Sequence, residues 1–169
     1  MLEQLGYDTY SNRDLYRLEL DRIDELAVDF RLPSEHFVCL IVGDTRHLSD
    51  GDLHRIADTL LRGGAIYLCL WGSGSGRAQS LFDDAILMSG YERSHESAIP
   101  TTAHKEELSD ALSFFLLNTG AAPAYAKTCN AALVLLINSS KHIDTVNQAL
   151  EDPQAFITTF CQDDENVTL

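Results

Sequence analysis

Apolar residues occupy consecutive positions in two short runs of the chain, at 37–42 (Phe-Val-Cys-Leu-Ile-Val) and 65–71 (Ala-Ile-Tyr-Leu-Cys-Leu-Trp). Runs of this length without polar alternation are typical of parallel strands that are covered on both faces. Between them, the apolar residues of 53–61 recur at helical spacing, which predicts an amphipathic helix. Residues 35–76 therefore predict a βαβ unit.

Local signals delimit the helix of this unit. Ser49 and Asp52 match a capping pair at its amino end, and Gly63 and Gly64 provide a left-handed residue that closes it. The second apolar run follows at once, so the connection from helix to strand is short.

The rest of the chain predicts two more strands and five more helices. Residues 131–137 form a third apolar run, and segment 97–102, which contains Pro100, predicts a short strand at a sheet edge. Helical spacing of apolar residues predicts the helices, at 11–30 with Ser11 as N-cap, 76–89, 104–118, from Ser139 onward, and 153–160. Residues 120–127 predict a loop of the length that often covers a site.

Right-handed crossovers determine the predicted strand order. Strands one (37–42), two (65–71), three (97–102) and four (131–137) take the order 3-2-1-4 if the last strand returns to the free side of the first. The fold class is then α/β, a three-layer α/β/α sandwich with a mainly parallel sheet of about four strands, Rossmann-like or flavodoxin-like. We expect one domain over residues 1–169. Six strand residues should be buried in its core: Leu40, Ile41, Leu68, Leu70, Val134 and Leu136.

In this order the chain direction reverses between strands one and four, whose carboxyl ends then form a crevice of the kind that binds ligands in open α/β sheets. The turn after strand one contributes Asp44, Arg46 and His47, and the turn after strand four contributes Asn138 and Ser139. We expect a small polar ligand there, held by Arg46 and by the helix that starts at Ser139. The alternative is that these residues only form turns and caps, for which Asp, Asn and Ser are the usual types.

A glycine-rich loop follows strand two and opens a helix. The backbone amides around Gly72 and Gly74 could cradle a phosphate, with Arg77 as the charge partner and Trp71 as the floor of a pocket. The loop matches neither the P-loop, nor the dinucleotide fingerprint, nor the nucleophile elbow. The alternative is a flexible turn, with Trp71 packed under the following helix.

Residues typical of catalysis or metal binding form no recognisable pattern. The six histidines include no helical pair at ligand spacing with a carboxylate, and no Cys-x-x-Cys occurs. Cys39, Cys69, Cys129 and Cys161 predict free thiols, with the two in strands buried, and hence a reducing compartment. We therefore assign no catalytic residue, no metal and no cofactor, and an enzyme is the less favoured interpretation.

The chain is strongly acidic, with 26 Asp and Glu against 12 Lys and Arg and a formal charge of −14. This charge disfavours binding to nucleic acid and to anionic membranes. No apolar stretch approaches the roughly 20 residues of a membrane span, and the N-terminus lacks the features of a signal peptide, so we predict a cytoplasmic location. The acidic residues either keep the protein soluble or bind a basic partner. They are dispersed except at 163–165, which lie within an acidic tail at about 162–169 that we expect to be disordered.

Two short motifs resemble those of a known family. Trp71-Gly72 ends the second strand, and Thr101-Thr102-Ala103-His104 precedes the helix that contains Leu108 to Phe115. Over residues 36–137 the chain is thereby similar to a family of short uncharacterised bacterial α/β proteins. The resemblance implies a three-layer Rossmann-like fold and no activity, and the Gly-Ser-rich insertion after Trp71 departs from the family pattern.

These observations predict a non-catalytic protein-interaction module, such as a regulatory, immunity or accessory subunit of a bacterial system. Its partner would be a basic protein or a second copy of the chain. The alternative is a protein that binds a small polar or phosphorylated ligand, or an enzyme, and that uses the crevice at the carboxyl ends of the strands.

Overall fold

The computed structural model describes the backbone of residues 1–165 and the side chains of residues 1–160. Six strands form one sheet: β1 (Leu2–Asp8), β2 (Arg13–Leu20), β3 (His36–Val42), β4 (Ala65–Trp71), β5 (Thr101–His104) and β6 (Cys129–Ile137). Five α-helices accompany them: α1 (Asp50–Gly63), α2 (Ser75–Ser89), α3 (Leu108–Asn118), α4 (Ile143–Glu151) and α5 (Pro153–Glu165). No helix in the described part of the chain combines the length and apolar character needed to cross a membrane.

The sheet has the order β1-β2-β6-β3-β4-β5. Strand β1 pairs antiparallel with β2, and all other neighbours are parallel. The fold is thus a mixed α/β fold with a mostly parallel sheet, which confirms the predicted α/β class.

The predicted βαβ unit is present as β3-α1-β4. Ser49 accepts a hydrogen bond from the Asp52 backbone amide, and the Asp52 side chain accepts one from the Ser49 amide, which completes the capping box. Gly64 closes the helix in the left-handed conformation, with φ of 105°. Each of these signals is local in the sequence, which explains why the unit could be predicted.

Helices cover both faces of the sheet and divide the core into two halves. Helices α1 and α2 pack with Phe37, Cys39 and Ile41 on one face, and α3 and α4 pack with Val38 and Leu40 on the other. The six strand residues predicted for the core are all buried: Leu40, Ile41, Leu68, Leu70, Val134 and Leu136. Cys39, Cys69 and Cys129 are free and buried, and the side chain of Cys161 lies outside the described residues.

The predicted N-terminal helix at 11–30 is wrong, because this part of the chain contains β2 and a short 3-10 turn and follows β1. Alternate residues of β2 face opposite sides of the sheet, with Tyr16 and Leu18 in one half of the core and Leu15 in the other. Ser11, the predicted N-cap, lies in the hairpin turn and donates its hydroxyl to Asp8 at 2.6 Å.

The predicted count of about four strands in the order 3-2-1-4 is also wrong for the whole sheet, because β1 and β2 extend it beyond β6. The four strands that the prediction included are neighbours in that relative order, β5-β4-β3-β6. The predicted edge strand is β5, which ends at His104, two residues after its predicted end at 102. Helix α3 starts at Leu108 rather than at His104. Helix α5 continues past the predicted end at Phe160, and residues 166–169 of the predicted tail lie outside the described residues.

Candidate functional site

The turns that follow β3, β4, β5 and β6 surround a crevice of about 500 Å³ at the carboxyl ends of these strands. After β3 the chain enters α1 on one face of the sheet, whereas after β6 it enters α4 on the other face. The two turns therefore diverge, and the gap between them is the topological switch point at which open α/β sheets bind ligands.

Glycine backbones bring the walls of this crevice together. A Cβ atom added to Gly72 would stand 2.2 Å from the carbonyl oxygen of Gly43, and one added to Gly43 would stand 2.7 Å from that of Ile137. The Gly43 amide donates to the Trp71 carbonyl at 3.1 Å, which continues the β3–β4 pairing into the turns. Gly43 and Gly72 thus have a structural role, because side chains there would separate the turns.

Asn138 and Ser139 form the wall that follows β6. Asn138 has a φ of 46°, a left-handed conformation that is uncommon for a residue other than glycine, and its amide donates to the Leu20 carbonyl at 2.8 Å. Ser139 is 5% exposed and lines the crevice, yet its side chain makes no capping hydrogen bond to the helical turn that follows. Its hydroxyl is therefore a polar group available to a ligand.

Asp44 and Arg46 form an ion pair at the rim. The Arg46 Nε donates to Asp44 Oδ1 at 2.9 Å, and Nη2 donates to Oδ2 at 2.5 Å. This hydrogen bonding holds the pKa of Asp44 well below its usual range and raises the pKa of Arg46. Both charges are largely satisfied by each other, so Arg46 has less capacity to bind a ligand anion than an unpaired cation would.

Lys105 and Lys141 supply the unpaired positive charge of the crevice. The chain contains three lysines, Lys105, Lys127 and Lys141, and the first and last of them line the crevice. Neither takes part in an ion pair among the side chains that the structure describes. In a chain with a formal charge of −14, this is a local reversal of sign.

Trp71 and His142 form an aromatic pair on the same crevice, with ring centroids 5.0 Å apart and the rings nearly perpendicular. The Trp71 Nε1 donates to the carbonyl oxygen of Glu106 at 2.7 Å, which fixes the orientation of the indole. Burial and the neighbouring Lys141 lower the pKa of His142, which favours the neutral form of its imidazole.

A network of polar groups centred on the buried His104 adjoins this aromatic pair. His104 bridges Thr102 and Glu106, with its Nε2 2.8 Å from the Thr102 hydroxyl oxygen and its Nδ1 2.7 Å from a Glu106 carboxylate oxygen. A hydroxyl, an imidazole and a carboxylate in this order resemble a catalytic triad. His104 is buried, however, and packs against Phe114 at 4.6 Å between ring centroids, so the network braces β5 rather than facing the crevice.

The structure brings together most of the residues that the sequence proposed for a ligand site. Seven of them line the crevice: Asp44, Arg46, Trp71, Gly72, Gly74, Asn138 and Ser139. His47 and Arg77 do not. His47 is exposed at the rim, and Arg77 donates to the Leu48 carbonyl at 3.1 Å and pairs with Asp50, so it fastens α2 to the start of α1.

Sequence reasoning missed Lys105, Lys141 and His142. Lys141 could have been found, because it follows the predicted end of the last strand at 137 by four residues. Lys105 follows β5 directly, but the predicted strand ended at 102, so the sequence did not place it at the edge where the crevice lies. Among the described residues, no group of three or more His, Cys, Asp or Glu side chains is arranged to hold a metal ion.

A family model described as a domain of unknown function (DUF7684) matches residues 17–153. The chain belongs to this family. The DUF7684 match begins within β2 and ends at the start of α5, so it includes all the turns that line the crevice. No curated protein and no solved structure matches the chain.

Membership of DUF7684 confirms the expected resemblance at the level of an uncharacterised family that covers most of the chain. The bacterial source and the Rossmann-like relationship that the resemblance implied stay predictions.

Proposed function

We propose that the protein binds a small anionic ligand in the crevice at the carboxyl ends of β3, β4, β5 and β6. The proposal rests on one observation. Two lysines that form no ion pair among the described side chains, Lys105 and Lys141, line the same crevice of a strongly acidic chain. An acidic protein repels anions at long range, so a local positive site is needed to bind one.

The shape of the crevice supports a ligand of metabolite size. Its volume of about 500 Å³ lies within the range of small-molecule sites, and glycine backbones form part of its wall. The Ser139 hydroxyl adds a neutral hydrogen-bonding group beside the charges. Phosphate esters and carboxylates are the ligand classes that such a combination suits.

Further features of this proposal follow from the fold and the thiols. Ligand binding at a switch point is the behaviour of Rossmann-like and flavodoxin-like folds, and we propose that the protein belongs to that group. The buried free thiols of Cys39, Cys69 and Cys129 support a reducing compartment, and we propose a cytoplasmic protein. The bacterial source that we propose rests on the family resemblance over residues 36–137 alone.

The test is ligand-dependent stability. Wild-type protein is heated with inorganic phosphate, pyrophosphate, sugar phosphates and dicarboxylates; a ligand at about 100 times its Kd adds about 2.7 kcal/mol of stability. The double variant Lys105→Ala/Lys141→Ala should lose at least tenfold in affinity, a loss of about 1.4 kcal/mol. Lys127→Ala is the matched control, because Lys127 is exposed and lies outside the crevice. The proposal is wrong if no anion stabilises the wild type, or if all three proteins respond alike.

A second candidate function is the interaction module, and an apolar patch on α2 favours it. Leu87 and Met88 are 80% and 82% exposed, and Tyr91 follows them. Large apolar side chains grouped on a surface often mark contacts with a partner. The partner would be a basic protein or a second copy of the chain. Leu87→Ser/Met88→Ser should abolish co-purification of a partner, or self-association in sedimentation; a wild type that is monomeric and recovers no stoichiometric partner would contradict this candidate.

A further inference from the structure

Two chemically different groups of side chains line the crevice, and their presence in one cavity defines the ligand further. One group is the unpaired Lys105 and Lys141, and the other is the aromatic pair of Trp71 and His142, which we call the aromatic wall. Lys141 is the chain neighbour of His142, and Lys105 is the neighbour of Glu106, whose carbonyl holds the indole of Trp71. Each lysine is therefore the chain neighbour of a residue that belongs to the aromatic pair or holds it.

The aromatic wall is rigid. The indole is held by its 2.7 Å hydrogen bond to Glu106, whose carboxylate is in turn held by the buried His104 at 2.7 Å. A preorganised ring binds a planar partner without loss of side-chain entropy. A plain phosphate or small carboxylate would pair with the lysines and leave this wall in contact with water.

A ligand that contacts both the lysines and the aromatic wall carries a phosphate group and a planar aromatic group. We propose that the crevice binds 5′-mononucleotides, with the phosphate at Lys105 and Lys141, the base against Trp71 and His142, and the sugar hydroxyls beside Ser139. This inference rests on the proposed function, because it names the substrate class of the same site. Stacking of a base on an aromatic side chain contributes about 1–3 kcal/mol, enough to separate nucleotides from sugar phosphates.

A second cavity, of about 720 Å³, lies at the opposite end of the sheet and also contains aromatic groups. His36 and Tyr125 lie there with ring centroids 4.7 Å apart and ring planes tilted by 53°. Its lining carries Arg31 and Arg62 together with the carboxylate of Glu35, and Arg62 pairs with Asp58. Its excess of positive charge is therefore smaller than that of the crevice, where Lys105 and Lys141 add to the balanced pair of Asp44 and Arg46.

The chain carries its own reporter for the test, because Trp71 is the single tryptophan. Purified wild-type protein is titrated with AMP, GMP, CMP and UMP, and in parallel with the four corresponding nucleosides, ribose 5-phosphate and inorganic phosphate. At least one mononucleotide should change the tryptophan fluorescence and bind at least tenfold more tightly than ribose 5-phosphate and than its own nucleoside. By calorimetry, His142→Ala and Trp71→Leu should each weaken that nucleotide about tenfold and leave ribose 5-phosphate nearly unchanged.

The outcomes separate this inference from the function on which it rests. If ribose 5-phosphate or inorganic phosphate binds as tightly as every nucleotide, the base contact is refuted and anion binding stands. If the nucleoside binds as tightly as its nucleotide, the phosphate contact with the lysines is refuted, and the anion-binding function is refuted with it. If nothing binds, both proposals fail. The wild-type series decides these cases even if Trp71→Leu does not fold.

Discussion

Gly72 lies directly against the backbone of Gly43, so closely that an added Cβ would stand 2.2 Å from the Gly43 carbonyl oxygen. Gly72 also has a φ of 118°, which residues with a side chain rarely adopt. This contact joins the turns after β3 and β4, and with them two sides of the crevice. Glycine at position 72 is thus required by the packing of the turns, whatever the loop binds.

Gly72→Ala should therefore destabilise the protein by about 2 kcal/mol or more, because alanine meets both a strained φ and a backbone clash. Gly76→Ala is the matched control in the same loop. No atom lies within 4 Å of a Cβ at Gly76, which is in the first turn of α2, so this change should stabilise by about 0.4–1 kcal/mol. Urea denaturation measures both, and equal effects would contradict the assigned contact.

The Glu106 carboxylate should make stability depend on pH. Partial burial opposes its ionisation, but hydrogen bonds from backbone amides and His104 outweigh this and lower its pKa. A lowered folded-state pKa contributes stability above the ordinary pKa of glutamate, and this contribution is lost as pH falls through the folded value. The group is substantially exposed, so solvent screening keeps the effect below about 1 kcal/mol.

Glu106→Gln should accordingly be less stable than wild type at pH 7, and the two proteins should converge toward pH 3. Glu107→Gln is the control, since this neighbouring side chain is exposed. Unfolding free energies from urea titrations across this pH range provide the comparison. A difference between wild type and Glu106→Gln that stays constant with pH would show that the hydrogen-bonded carboxylate is not its cause.

Local signals made the β3-α1-β4 unit predictable, and long-range pairing made the N-terminal hairpin unpredictable. Tyr16 and Leu20 are four residues apart, a spacing that suits one face of a helix as well as one face of a strand. What selects the strand is pairing of β2 with β6, in which Tyr16 lies opposite Leu133. A partner more than a hundred residues away leaves no periodic trace in the segment itself.

The position of the crevice could be predicted from the relative order of four parallel strands, but the positive charge of its lining could not. The edge strand was predicted to end at 102, which placed Lys105 inside a helix; β5 extends to His104, so Lys105 stands at the carboxyl edge. Arg77 was chosen because it follows the glycine loop, yet its guanidinium turns toward the Leu48 carbonyl. Side-chain direction depends on tertiary contacts that spacing along the chain does not encode.

Thiol reactivity tests the burial of the strands. Cys39 and Cys69 have no measurable exposure, and burial raises the pKa of Cys69 to about 12 and that of Cys39 well above its usual range. The reactive thiolate is therefore both scarce and inaccessible in the native protein. In a Cys161→Ser variant, a disulfide reagent at pH 8 should modify these thiols at least a hundredfold more slowly than in urea. Equal rates would contradict the assignment of β3 and β4.

Truncation of the core gives the most direct test of the fold, and the chain offers a matched pair of leucines. Leu68 on β4 is fully buried, whereas Leu87 on α2 is 80% exposed. Leu68→Ala should cost about 2–5 kcal/mol, since it leaves a cavity in a close-packed interior, out of a total stability of about 5–15 kcal/mol. Leu87→Ala should change stability by less than about 0.5 kcal/mol. If urea denaturation showed equal losses, β4 would not be a buried strand between β3 and β5, and the crevice built on its carboxyl end would lose its structural basis.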